Sequence, residues 1–144
     1  MFHPLISDDE RQAILEDYFE NANIGLHVVG PDGTILAASR AELEFLGYAD
    51  APEEYIGHHI AEFHADRDVI EAMLATLLDN VPLIDHPARL VARDGSIKPV
   101  RIYSSSRFVD GRFVNTRCFT RPDASGAPEA IPQRVAHFDF PSFV

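Results

Sequence analysis

The chain is short of positive charge, of cysteine and of long apolar runs, and each shortage excludes a class of function. Lys plus Arg number 12 against 23 for Asp plus Glu, a net charge of −11. Nucleic-acid binding needs clustered Lys and Arg against phosphate, and docking to an anionic membrane needs the same, so neither is an expected partner. Cys118 is the one cysteine, which rules out an intramolecular disulfide and points to a reducing compartment, the cytoplasm. No apolar run approaches the roughly 18 residues of a membrane span. The opening residues 1–12 have neither the basic nor the apolar region of a signal peptide. No Cys/His spacing resembles a zinc site, and no serine sits in a nucleophile elbow.

What the chain does have is enough apolar material for one packed domain: 144 residues, 46 % hydrophobic and 10 % aromatic. Ser7 or Asp8 can cap a helix, and acidic residues 8–10 suit its positive end. Ile14, Leu15, Tyr18 and Phe19 recur at helical spacing, so an amphipathic helix is expected to about residue 20. Residues 24–30 and 34–38 read as short strands joined by the turn Pro31-Asp32-Gly33. Residues 40–47 read as a short helix with Leu43 and Leu46 inward and Gly47 as its terminator. Single helical turns are expected near residues 52–57 and 60–63. A longer helix from 66 or 67 to about 78 carries Val69, Ile70, Met73, Leu74, Leu77 and Leu78 on one broad face.

The last third is extended. Runs 83–93, 97–108 and 112–121 are joined by Asp94-Gly95 and Asp110-Gly111, both favoured in hairpins. The order of elements predicts an α+β fold, a five-stranded antiparallel sheet with short helices on one face. Space between helices and sheet is where a small ligand would sit. Residues 122–144 read as a linker and a tail carrying Phe138, Phe140 and Phe143, expected to pack on this or a neighbouring domain.

Residues 20–36, Ala41-Glu42-Leu43-Glu44-Phe45-Leu46-Gly47-Tyr48, residues 54–60, Arg93-Asp94-Gly95-Ser96 and residues 108–114 resemble, in order and spacing, a PAS sensor domain. The resemblance covers about 18–121. It implies the PAS fold and divides the chain into an N-terminal amphipathic helix (1–20), a PAS core (21–121) and a tail (122–144). It also implies a bacterial, non-catalytic signal-transduction module. In many relatives the last strand runs into a signalling helix and a catalytic domain. Here Pro122 follows Arg121 and disfavours helix, so output is expected through contact with a partner.

Other chemistry finds little support. In flavin and yellow photoreceptor relatives the reactive cysteine lies after the second strand, whereas Cys118 lies in the last and reads as a core residue. Haem-binding relatives take their iron ligand from the long helix, where residues 68–71 hold no histidine; His58, His59 and His64 precede it and read as exposed or capping residues. Haem and flavin are therefore disfavoured, and any cofactor is left unidentified. Ser104, Ser105 and Ser106 are expected to hydrogen-bond along the sheet.

Residues 89–121 hold eight basic side chains and two acidic ones, a charge of +6 that leaves −17 elsewhere. This suggests a basic sheet surface docking the acidic first helix of the same or another subunit. The candidate interface is Ile14, Leu15, Tyr18, Phe19, Arg101 and Arg117, implying a homodimer. The candidate ligand pocket is Val69, Met73, Leu77, Leu90, Ile102 and Cys118, flanked by Phe45, Ile60 and Phe63. The readings left open are a small-molecule sensor, a ligand-free adaptor acting on a regulatory protein such as a sensor kinase, a haem or other cofactor-binding sensor, and a small isomerase-like enzyme.

Overall fold

Ser7 starts the first helix: its hydroxyl accepts a hydrogen bond from the Glu10 amide at 3.1 Å. This helix, α1 (Asp8–Asn21), carries Asp8, Asp9 and Glu10 in its first turn and buries none of its residues. The computed structural model describes residues 1–124. The expected packing of Phe138, Phe140 and Phe143 lies outside the described residues.

Strands β1 (Gly25–Val29) and β2 (Ile35–Ala38) pair as the expected hairpin. Asp32 Oδ1 closes the turn by accepting from the Thr34 amide at 3.0 Å. Gly33 sits at φ 88°, and a Cβ there would overlap the His59 ring, so the position takes no other residue without strain. Helix α2 (Arg40–Leu46) ends at Gly47 in the left-handed conformation, with Tyr48 N bonded to Leu43 O at 2.7 Å. Two 3-10 turns follow, Pro52–Glu54 and Ile60–Phe63. His59 caps the second, accepting from the Ala61 amide at 3.1 Å. Helix α3 (Arg67–Leu78) leads to the meander β3 (Leu83–Val91), β4 (Ile97–Val109) and β5 (Arg112–Pro122).

The sheet is antiparallel throughout, in the order β2-β1-β5-β4-β3. The first and last strands are therefore central neighbours, with Gly25 opposite Thr120 and His27 opposite Cys118. One face lies under the helices and buries Val29, Leu90, Val100 and Ile102. Tyr48, Tyr55 and Phe63 cluster within that core, with ring centroids 4.7–5.8 Å apart. From α3, Ile70, Met73 and Leu77 are buried, whereas Leu78, expected on the same face, is 55 % exposed. Successive helical residues turn by about 100°, and Leu77 already occupies the inward direction in that last turn.

Much of the basic charge in the meander is used within the domain. Arg93 bonds Asp50 at 2.9 Å and Glu54 at 2.8 Å, and Arg89 grips Asp66 with two bonds of 2.8 and 2.6 Å. Arg121 and Tyr103 both bond Asp85, while Arg101 bonds the Asp85 carbonyl and Asp123. Among the described residues, no helix is long and apolar enough to cross a membrane.

Candidate functional site

Ser39 begins the site. It is fully buried; its Oγ accepts from Leu26 N at 2.8 Å and from Glu42 N at 3.3 Å, and donates to Ile24 O at 3.0 Å. One side chain thus caps α2 and fastens it across β1. That fixes the inward direction of the helix, and Glu42 and Leu46, four residues apart, both point along it. Glu42 is 1 % exposed, and its Oε2 meets His27 Nδ1 at 2.8 Å. Across the strand from His27, the Cys118 sulfur lies 2.7 Å from Ser104 Oγ and 3.1 Å from Thr116 Oγ1. A polar chain therefore runs through the apolar interior from α2 to β4.

Four ionisable groups of this interior, His27, Cys118, Tyr55 and His64, are displaced by their surroundings. Burial alone would lower the His27 imidazole, but Cys118 and Glu42 more than offset it and raise it to about 10. Burial would raise the Cys118 thiol, but His27, Ser104 and Thr116 together bring it below its ordinary value. Tyr55 is pushed well up by burial and by the charge of Glu42. His64 is pushed down to about 4 by burial and by the charge of His27.

His64 carries a pH prediction. Its folded-state value lies below the ordinary 6.5, so its neutral form favours the fold above pH 6.5. That contribution is lost as the pH falls through about 4. Urea unfolding at pH 7 and pH 4.5 should show a loss of stability that His64→Phe reduces; an equal loss in both proteins would contradict it.

The cavity beneath α3 is small. About 20 Å³ remains between Met73, Leu77, Ile102, His27, Thr116 and Cys118, room for one water. Drug-sized ligands occupy roughly 300–1,000 Å³. Of the sequence candidates, Ile60, Met73, Leu77, Ile102 and Cys118 line this cavity. Phe63 and Leu90 are buried in the same core, and Val69 packs against it. Phe45 packs against that core as well but stays outside the cavity. It faces surface clefts beside α2, with Lys98 Nζ 5.4 Å from its ring, because Leu46 takes the inward direction next to it.

The opposite face of the sheet is more open. Phe19, Leu26, Val28, Arg117 and Phe119 line an apolar groove of about 290 Å³. Ile14, Leu15 and Tyr18 stand exposed on α1 at 37, 53 and 67 %. Arg117 lies in this groove, bonded to Ser105 Oγ and to the Ser106 carbonyl. Arg101 is engaged with Asp85 and Asp123 instead. Ser106 bonds the Leu77 carbonyl of α3 at 2.6 Å rather than a sheet neighbour.

His27, Glu42 and Thr116 are the site residues that sequence reasoning missed, and His64, expected to be exposed or capping, lines the inner cavity instead. One signal was available: Glu42 stands four residues before Leu46 on the same helix face, and an inward carboxylate needs a partner. Among the described residues, no group of three or more His, Cys, Asp or Glu side chains is placed to hold a metal ion.

A family model described as the PAS fold matches residues 19–136. The PAS domain of an HTR-like protein from Haloarcula marismortui is 24 % identical at a TM-score of 0.63, covering 80 % of this chain and 93 % of that one. A domain of a sensory box sensor histidine kinase/response regulator from Geobacter sulfurreducens is 19 % identical at a TM-score of 0.66, covering 80 % of this chain and 96 % of that one. An RNA-binding light-oxygen-voltage receptor reaches a TM-score of 0.72 at 19 % identity, covering 85 % of this chain and 36 % of the receptor. No curated protein matches. At these identities the likeness is one of fold.

Proposed function

The chain belongs to the PAS-fold family, and on that premise we propose that it is a non-catalytic signalling module whose output is protein contact through α1 and the outer face of the sheet. The observation that carries this reading is where the molecule keeps its unfilled apolar surface. The space beneath α3 is about 20 Å³, whereas the outer groove is about 290 Å³ and lies against a helix with no buried residue. A second copy of the chain can bury Leu15, Tyr18 and Phe19 together with Leu26 and Phe119. The module is then a homodimer that regulates a protein partner.

A sensor reading is favoured by a different observation. His27, Ser104, Thr116 and Cys118 place polar groups against the inner cavity, and a core with no ligand to recognise has no need of them. A small molecule would enter there only with a shift of α3.

Native mass spectrometry and sedimentation of the full chain separate the two. A dimer at twice the 16.0 kDa sequence mass supports the contact reading. Leu15→Asp should then raise the dimer dissociation constant by at least about tenfold, which needs the loss of only about 1.4 kcal/mol. A monomer, or a dimer indifferent to Leu15→Asp, contradicts an interface at α1. A discrete added mass supports the sensor.

A further inference from the structure

Two buried side-chain oxygens have no hydrogen-bond partner among the described residues, Glu42 Oε1 and Thr120 Oγ1. Unpaired buried polar atoms are few in native structures, and each is costly. These two belong to residues that line one cleft of about 200 Å³, which shares no lining residue with the inner cavity. Its walls are Ile24, Phe45 and Pro122, with Asn23 and Arg121 at the chain's entry to and exit from the sheet. Gly25 lies between the two residues. It pairs with Thr120 across the sheet, and a Cβ on it would come within 3.2 Å of both Glu42 Oε1 and the Thr120 carbonyl.

We propose that this cleft binds a small primary amine, whose ammonium hydrogens bond Glu42 Oε1 and Thr120 Oγ1. A carboxylate oxygen only accepts, so the ligand must donate; a hydroxyl also accepts, so a nitrogen with two or more hydrogens satisfies both. The net charge of −11 favours a cation over an anion. Arg121 does not oppose it directly, because its guanidinium is bonded to Asp85 at 2.9 Å. Glu42 Oε2 is held by His27, which leaves Oε1 aligned and positions the carboxylate. The imidazolium on that far oxygen keeps the affinity modest. Phe45, Ile24 and Pro122 receive a short alkyl chain, and the volume limits it to a few carbons. Both oxygens are covered in this structure, so binding shifts the Asn23–Ile24 joint that carries α1. This site is separate from the contact reading above: it can be present in a monomer, and it can be absent from a dimer.

The test is a titration of the 15N-labelled full chain with n-propylammonium into the millimolar range, followed by backbone amide shifts. Saturable shifts at Asn23, Gly25, Glu42 and Thr120 are expected. Thr120→Val, of the same shape, should weaken binding at least tenfold while the spectrum stays dispersed; Gly25→Ala, which crowds Oε1, should do the same. The equally sized n-propanol and tetramethylammonium, which has no N–H, should bind at least tenfold more weakly. Non-saturable shifts, equal responses to n-propanol, or an unchanged response in Thr120→Val would overturn the proposal. So would a crystal soaked in n-propylammonium with a water alone between Glu42 and Thr120.

Discussion

Glu42→Ala is expected to cost the domain about 3–5 kcal/mol of unfolding free energy, the cost of leaving one member of a buried ion pair without its partner. The pair is sealed, with Glu42 1 % and His27 6 % exposed and 2.8 Å between them. Removing the carboxylate leaves His27 with Cys118 as its remaining charge partner or forces it to shed its proton. Glu42→Gln retains an acceptor for Nδ1–H and should cost less. His27→Leu with Glu42→Leu removes both charges, and replacing a buried pair by apolar groups is neutral or stabilising by about 1–4 kcal/mol. The double variant should therefore be more stable than Glu42→Ala.

The pH dependence of His27, raised by Cys118 first and by Glu42 after it, has a definite sign. The folded-state value of His27 is raised from 6.5 to about 10. Its contribution is complete below pH 6.5 and is lost as the pH rises through about 10. Guanidinium melts from pH 6 to 10 should show this loss in the wild type and a smaller one in Glu42→Ala. A Glu42→Ala cost under about 1 kcal/mol, the net contribution of an ordinary hydrogen bond, would mean that the pair is not ionic.

Met73→Ala should cost about 2–5 kcal/mol and open a space the wild type lacks. Met73 is 4 % exposed on the inward face of α3 and borders the one-water cavity beside Leu77 and Ile102. Truncation removes three heavy atoms from a close-packed interior, which collapses only partly. The space should bind a small apolar probe such as benzene, seen as a rise in the melting temperature of Met73→Ala that the wild type does not share. An equal rise in the wild type would show that the interior already admits ligands, and the sensor reading would then displace the contact reading.

The parts legible in the sequence were those set by neighbouring residues. Pro31-Asp32-Gly33, Asp94-Gly95 and Asp110-Gly111 marked the hairpins because turn backbones need residues of that kind. Ser7 and Gly47 marked helix ends because they satisfy local backbone groups. The apolar spacing of Ile70, Met73 and Leu77 marked the inward face of α3. Five of the nine pocket candidates reached the inner cavity for the same reason: periodicity reports which side of an element faces the core.

The tertiary structure decided what depends on distant residues meeting. Periodicity could not say that Phe45 would border surface clefts rather than the inner cavity, since that followed from Ser39 fastening α2 over β1 and turning Glu42 and Leu46 inward. It could not place β1 beside β5, because a central pairing of first and last strands leaves no local trace. His27 and Glu42 are 15 residues apart, and Cys118 reaches them only through strand register, so the buried polar chain exists in no local window. The sequence by itself determined the elements, their order and the family. Packing alone determined which polar residues were sealed together and which two oxygens were left unpaired, because those depend on the angle at which one short helix crosses one strand.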